Sequence, residues 1–233
     1  MGRALLKAIE KKGYTVFATV DKYDKTAQYT CLEELPSGAD LLIDFSHHSA
    51  AGELAQFAKR TGTPLVVATT GHTEEEMGLL KEASVQAPIF HSANMSLGVA
   101  LLVELAKKTV ALFPDADIEI VEVHHNRKLD APSGTAKMIL DGILSVLPEK
   151  RGVFGRSGMG KREKEEIGVH ALRMGNVVGI HEVHVCTENQ CITLKHEAVD
   201  RALFADGALF AGEFLVTQAP GLYGMDELLR GRI

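Results

Sequence analysis

The sequence predicts an α/β protein whose first part alternates helix and strand and whose second part is α+β. Three observations predict it. Helical and strand-like patterns interleave through residues 4–91. A polar tip follows each strand-like run there: Asp21, Asp44 with Ser46, Thr69-Thr70-Gly71, and Ser92-Ala93-Asn94. Beyond one long apolar helix, strand-like runs succeed one another with turn signals between them. Interleaved strands and helices build βαβ units and a parallel sheet, which takes ligands at the carboxyl ends of its strands. Consecutive strands joined by turns build a mostly antiparallel sheet.

Residues 4–12 carry a helical pattern that ends at Gly13, and residues 14–20 read as a strand. Residues 41–45 form a continuous apolar run, which suits a strand covered on both faces. Residues 49–61 are helical and residues 64–68 are a strand. Residues 73–84 are helical, with Thr73 as cap and Glu76 at the capping-box position. Residues 88–91 make a fourth strand and residues 97–112 a long helix. Residues 118–125 are strand, and residues 133–147 are a helix capped by Ser133. The polar stretch 148–166, rich in Gly, Lys, Arg and Glu, reads as a mobile surface loop. Residues 169–174, 177–186 and 191–198 are strands, and residues 202–218 a final helix. The expected division is 1–95 with 206–233 for one domain and 96–205 for the other.

With 233 residues the chain can bury a full core in one or two domains. A net charge of −6 argues against a general nucleic-acid or acidic-membrane partner. It leaves room for a local basic pocket that takes an acidic metabolite. Cys31, Cys186 and Cys191 are too few and too scattered for a disulfide framework. In strand-like runs, Cys186 and Cys191 read as small buried hydrophobes. No charged start leads into an apolar signal region, and no apolar run approaches a membrane span. The default compartment is a reducing cytoplasm.

The chemistry concentrates in residues 122–136, E-V-H-H-N-R-K-L-D-A-P-S-G-T-A. His124 and His125 are the side chains best able to exchange a proton near neutral pH. Lys128 adds a positive charge. Ser133, Gly134 and Thr135 open a helix whose N-terminal N–H groups and dipole attract a carboxylate or phosphate. Together they suit holding a small anion while protonating it. Glu122 lies on the His124 face of the strand and is placed to orient it. Neighbours on a strand face opposite ways, so both histidines serve one pocket only if the strand ends there. Asn126, Asp130 and Pro132 indicate that it does. Asp130 reads as a pin for the loop before Pro132. His181 and His184 stand an odd number of positions apart, so they face apart and read as no paired site. His47 and His48 read as turn residues, and Lys195 and His196 as solvent- or subunit-facing. Adjacent histidines lack zinc spacing, and no metal is expected.

Gly2 and Asp21 are 19 residues apart, with a helix and then a strand between. A Rossmann-type fold wants an acid at about 20 residues from its glycine loop, to bond ribose hydroxyls. Lys22 beside it suits a 2′-phosphate. These marks suit a dinucleotide cofactor, NADPH or NADH, and suit equally an acid and a lysine in a surface turn.

The long segment resembles the signature of the 4-hydroxy-tetrahydrodipicolinate (dihydrodipicolinate) reductase family of the lysine pathway. V-V-A-T-T-G at 66–71 resembles the family's G-T-T-G cofactor loop, with Ala68 where glycine is usual. H-S-A-N-M-S-L-G at 91–98 resembles its loop beside the nicotinamide. I-D-F-S at 43–46 and F-A-D-G-A at 204–208 also fit, in the family's order and spacing. The resemblance implies reduction of a cyclic unsaturated dicarboxylate by NADPH or NADH, with loss of water. It makes His124 the proton donor and Lys128 its assistant. His125, Lys128, Ser133, Gly134 and Thr135 then bind substrate. Met1, Gly2, Asp21, Lys22, Ala68, Thr69, Thr70, Ser92, Ala93, Asn94 and Met95 would line the cofactor site. It implies a cytoplasmic homotetramer in which the second domain's sheet pairs between subunits.

The departure is at the front. Family members begin with a strand and a loop of the type G-x-x-G-R-M-G-R, and Met1-Gly2-Arg3 resembles only the loop's end. An internal start, a fragment and a naturally shortened variant all fit. Each implies weaker cofactor binding than a version extended upstream. A non-catalytic remnant, or another NAD(P)-dependent dehydrogenase on a similar fold, is the alternative function.

Overall fold

The computed structural model describes residues 1–230. Two compact units divide it: Met1–Ser96 with Ala202–Ile233, and Leu97–Arg201. The final helix begins at Ala202, so it belongs whole to the first unit.

The first unit contains α1 (Gly2–Lys11), β1 (Leu42–Asp44), α2 (Ala51–Thr61), β2 (Leu65–Val67), α3 (Glu74–Ala83) and β3 (Pro88–His91). After the second unit's α4 (Leu97–Leu112), β4 (Asp117–His124), α5 (Gly134–Leu144), β5 (Arg151–Phe154), β6 (Glu166–Arg173), β7 (Gly179–Cys186) and β8 (Cys191–Ala198), the chain returns as α6 (Ala202–Leu215), β9 (Gly221–Tyr223) and α7 (Met225–Leu229).

Strands of the first unit form a parallel sheet in the order β1-β2-β3-β9. Leu65, Val66, Val67, Ile89 and Phe90 are wholly buried, as a continuous apolar run between two helical layers requires. Leu54, Phe57 and Leu80 from α2 and α3 pack with Leu65, Val67 and Ile89. Leu5 and Ala8 of α1 pack with Ala205 and Leu209 of α6, beside Ile43 and Phe45. Thr73 and Glu76 form the capping box that starts α3.

The expected strand at 14–20 does not form. Only Val20 bridges, to Tyr29, outside the sheet. A strand persists only where a neighbour pairs its N–H and C=O groups. Here the segment's groups are taken locally: Tyr14 N–H donates to Ile9 O, and Thr19 N–H to the Gln28 side chain. Tyr14 instead lends its hydroxyl to Glu213 on α6.

The second unit holds a mixed sheet in the order β5-β6-β4-β7-β8. The β5–β6 and β6–β4 pairs are parallel, and the β4–β7 and β7–β8 pairs antiparallel. Helices α4 and α5 cover one face, where Leu102, Ala106, Ile139 and Ile143 meet Ile118, Ile120, Ile167 and Val183. Along β4 every second residue is buried: Ile118, Ile120, Glu122, His124. Period-two alternation therefore carries an acid and a histidine onto the face that begins as core. The same parity on β7 buries Gly179, His181, Val183 and Val185.

Two further expectations are corrected. The stretch 148–166 is not all loop, because β5 pairs as an edge strand with β6. Its short, half-exposed sequence carries no readable period, and the pairing with β6 makes it a strand. Cys186 and Cys191 are not buried thiols but a disulfide. They oppose each other in the β7–β8 register. Cys186 has the parity opposite to buried Val183 and Val185, so the pair sits on the outer face. No described helix is long and apolar enough to cross a membrane.

Candidate active site

The second unit assembles the expected acid and anion-binding residues at the carboxyl end of β4. Glu122 is fully buried and its carboxylate accepts four hydrogen bonds. Its Oε2 faces His124 Nδ1 at 2.5 Å and accepts from Arg173 Nη1 at 2.8 Å. Its Oε1 accepts from Arg173 Nη2 at 2.8 Å and from the Ser133 N–H at 2.9 Å. Burial pushes the carboxyl up, but these donors outweigh it and hold it down to about 2. The carboxylate is therefore ionised at neutral pH, and the His124 nitrogen facing it carries the proton. This fixes the imidazole and leaves Nε2 to act outward. Nε2 lies over Gly179, where a Cβ would stand 3.0 Å from it. Glycine there keeps room for the reacting nitrogen.

His181 packs edge-on against His124, ring centroids 5.1 Å apart. Its Nε2 lies 3.1 Å from Ser133 Oγ, which also accepts the Ala136 N–H as the cap of α5. Burial first, then the His124 charge, pushes His181 down to about 4, so this ring is neutral. His181 thus braces the helix start beside the acid. It is no partner of His184, yet it belongs to the site. Comparing its parity with Val183 and Val185 rather than with His184 alone would have found it.

His125 follows the strand end, and its N–H donates to Val177 O at 2.8 Å. Burial, then the charges of Arg127, His124, Lys128 and Arg201, pushes its pKa down. Its Nδ1 is buried without a hydrogen-bond partner, which suits a ligand-facing group. Lys128 Nζ pairs with Asp130 Oδ1 at 2.8 Å. Asp130 pins the loop as expected, and its carbonyl oxygen also accepts from Arg173 at 2.7 Å. Ser133 is buried, Thr135 half-buried and Gly134 exposed. A Cβ on Gly134 would meet no protein atom within 4 Å, so the helix mouth is open. Its first-turn N–H groups precede the i→i−4 ladder and are suited to a carboxylate.

Expected cofactor residues all lie in the first unit. Gly2 opens α1 after Met1, and Arg3 Nη2 stands 3.7 Å from Asp24 Oδ2, which joins this helix start to the Asp21 turn. Asp21 and Lys22 are exposed; Asp21 Oδ1 accepts the N–H groups of Tyr23 and Asp24. Ala68 donates its N–H to Asp44 O, and the buried Thr69 hydroxyl donates to Asp44 Oδ2 at 2.7 Å. Thr69 therefore shapes the loop, while exposed Thr70 is open to a ligand. Gly71 adopts φ +86°, which favours glycine. Ser92 and Asn94 form a closed turn, Ala93 is exposed and Met95 is buried. Among the described residues no cluster of His, Cys, Asp or Glu could hold a metal ion.

Known proteins match this arrangement from end to end. The family "Dihydrodipicolinate reductase, N-terminus" matches residues 1–95, and "Dihydrodipicolinate reductase, C-terminus" matches residues 98–229. A 4-hydroxy-tetrahydrodipicolinate reductase of Caldanaerobacter subterraneus subsp. tengcongensis is 47% identical, covering 99% of this chain and 94% of the relative. One of Clostridium novyi is 40% identical, covering 100% of this chain and 95% of the relative. A solved structure of a dipicolinate-bound dihydrodipicolinate reductase from Paenisporosarcina sp. TG-14 shares the fold. It does so with a TM-score of 0.78 over 97% of this chain and 94% of that one, at 23% identity. The signature at residues 122–136, the buried Glu122–His124 pair and the open helix mouth thus meet in a chain that belongs to the dihydrodipicolinate reductase family, the oxidoreductases of lysine biosynthesis.

Proposed function

We propose that this chain reduces 4-hydroxy-tetrahydrodipicolinate to tetrahydrodipicolinate, with loss of water, using NADPH or NADH. The observation that carries the mechanism is His124, held through Nδ1 by ionised Glu122 beside an open, positively polarised helix mouth. One substrate carboxylate suits the N–H groups of Gly134 and Thr135. Lys128 and His125 suit the other side of the dianion. The nicotinamide supplies the hydride when bound. Loss of the 4-hydroxyl with a proton from the neighbouring ring carbon, as water, gives a conjugated C=C–C=N system, and hydride addition to it leaves an enamine-like anion, which takes its proton on carbon. His124 Nε2 gives that proton, and the Nδ1–H stays on the ring, donated to Glu122 Oε2. Lys128 offsets the negative charge that builds in the substrate.

The first unit fits the dinucleotide. The start of α1 with Arg3, tied to the Asp21 turn, suits a pyrophosphate near a ribose-binding acid. Orphaned ring nitrogens of His72 and His91 flank the Thr70-Gly71 and Ser92-Ala93-Asn94 loops and offer polar contacts there. We assign Met1, Gly2, Asp21, Lys22, Ala68, Thr69, Thr70, Ser92, Ala93, Asn94 and Met95 to this role. We further assign the protein to the cytoplasm as a homotetramer joined through the second unit's sheet, which light scattering tests. The functional test is loss of nicotinamide absorbance with the cyclic dicarboxylate, using each cofactor in turn. Substrate-dependent oxidation is expected with at least one. No oxidation with either, in protein that is folded, overturns the reading.

A further inference from the structure

We infer that Arg173 is a positioning residue that locks the acid His124, the Lys128 loop and the mouth of α5 into one arrangement. The inference rests on the proposed reductase reaction. It stands on where the guanidinium reaches. Arg173 ends β6 and lies opposite His124 in the parallel register. Its two terminal nitrogens grip both oxygens of Glu122, each at 2.8 Å. One of them also donates to the carbonyl of Asp130 at 2.7 Å, and Asp130 in turn holds Lys128 at 2.8 Å. The other donates to Leu172 O at 2.6 Å. Glu122 passes the constraint to His124 Nδ1 and to the Ser133 N–H. One planar fork therefore ties three chain segments that each supply part of the chemistry. A lysine ammonium, being a point donor, cannot reproduce that geometry.

The fork also sets the charge of the site. A fully buried carboxylate with a single imidazole partner would tend to take a proton, because burial disfavours its charge. The guanidinium helps to keep Glu122 ionised. The other charged or titratable groups around the pair are His125 beside His124, His181 on β7, His196 on β8 facing His181, and Lys128 with Asp130 in the loop. None of them contacts both oxygens of Glu122.

Two variants separate the roles. In Arg173→Gln, kcat should fall on the order of 10²-fold, the scale of a misplaced reacting group. KM for the dicarboxylate should change less. In Arg173→Lys the charge remains but the fork is lost, so kcat should stay well below wild type. The His124 Nδ1 proton, observed by NMR as a downfield resonance, should move in Arg173→Gln. That readout needs no turnover. If wild type fails to turn over the substrate, the reductase reading fails, and the resonance still decides the role of Arg173. Should Arg173→Gln fail to fold, the Lys variant decides by its kcat. Unchanged kcat and resonance in Arg173→Gln, or full activity in Arg173→Lys, overturns the inference.

Discussion

Glu122→Gln tests the centre of the site most directly. The substitution keeps the shape of the side chain and removes its charge. In the native structure the carboxyl stands at about 2, against an ordinary 4.5. At about 1.4 kcal/mol per pH unit, that displacement corresponds to about 3 kcal/mol of folding stability. The group is fully buried, so solvent screening takes little from this figure. The sign follows from linkage. A carboxyl whose native pKa is depressed contributes fully above its unfolded value and loses the contribution as pH falls through its native value. Its share should thus be whole at pH 6 and vanish as pH drops from about 4.5 to about 2. Other carboxyls titrate in the same window, so the difference between wild type and variant is the informative quantity. Urea unfolding at fixed protein concentration, at pH 6 and again near pH 2.5, measures it. The variant should be less stable by about 3 kcal/mol at pH 6, with the gap mostly closed at the acid end. Equal gaps at both pH values would mean that Glu122 is not the ionised anchor described here.

Three further outcomes follow from the same geometry. His124→Gln should lower turnover by about 10²–10⁴-fold while keeping most substrate affinity, as loss of a general acid does; near-normal kcat would remove His124 from the mechanism. Lys128→Ala should raise KM and lower kcat together, because a cation beside a dianion acts in both states; steady-state kinetics showing a change in KM alone would limit Lys128 to binding. Gly179→Ala should lower kcat in a protein that still folds, since the new methyl crowds His124 Nε2 at 3.0 Å; wild-type kcat would show that the ring has room to shift.

Legibility varied with how local the deciding physics was. The buried runs at β1 to β3 were readable because both faces of a parallel strand are covered, so the sequence is apolar without interruption. Glu122 and His124 were readable as one pair because alternation along a single strand is a local property. His181 obeyed the same rule, but the comparison that matters is with Val183 and Val185, its neighbours on the core face. Arg173 was not readable. Its contact with Glu122 depends on the register between β6 and β4, two parallel strands separated in the chain by α5, β5 and their connections, and nothing local sets that offset. The stretch 14–20 has strand chemistry but only a single bridge, from Val20 to Tyr29, and β5 has a partner but little strand chemistry. The disulfide needed the register of β7 on β8 to bring Cys186 opposite Cys191.

The placement of the acid on β4 has a consequence for how this protein tolerates change in chain length. β4 is paired along both edges, with β6 on one side and β7 on the other. Insertion of one residue before Val121 would turn Val121 and Val123 toward the helix mouth and send the acid pair to the opposite face. The same insertion between Gly155 and Glu165 would fall in irregular backbone and be absorbed there. Among descendants of this sequence, length variation should therefore gather between β5 and β6 and be missing from β4, however freely the individual side chains drift.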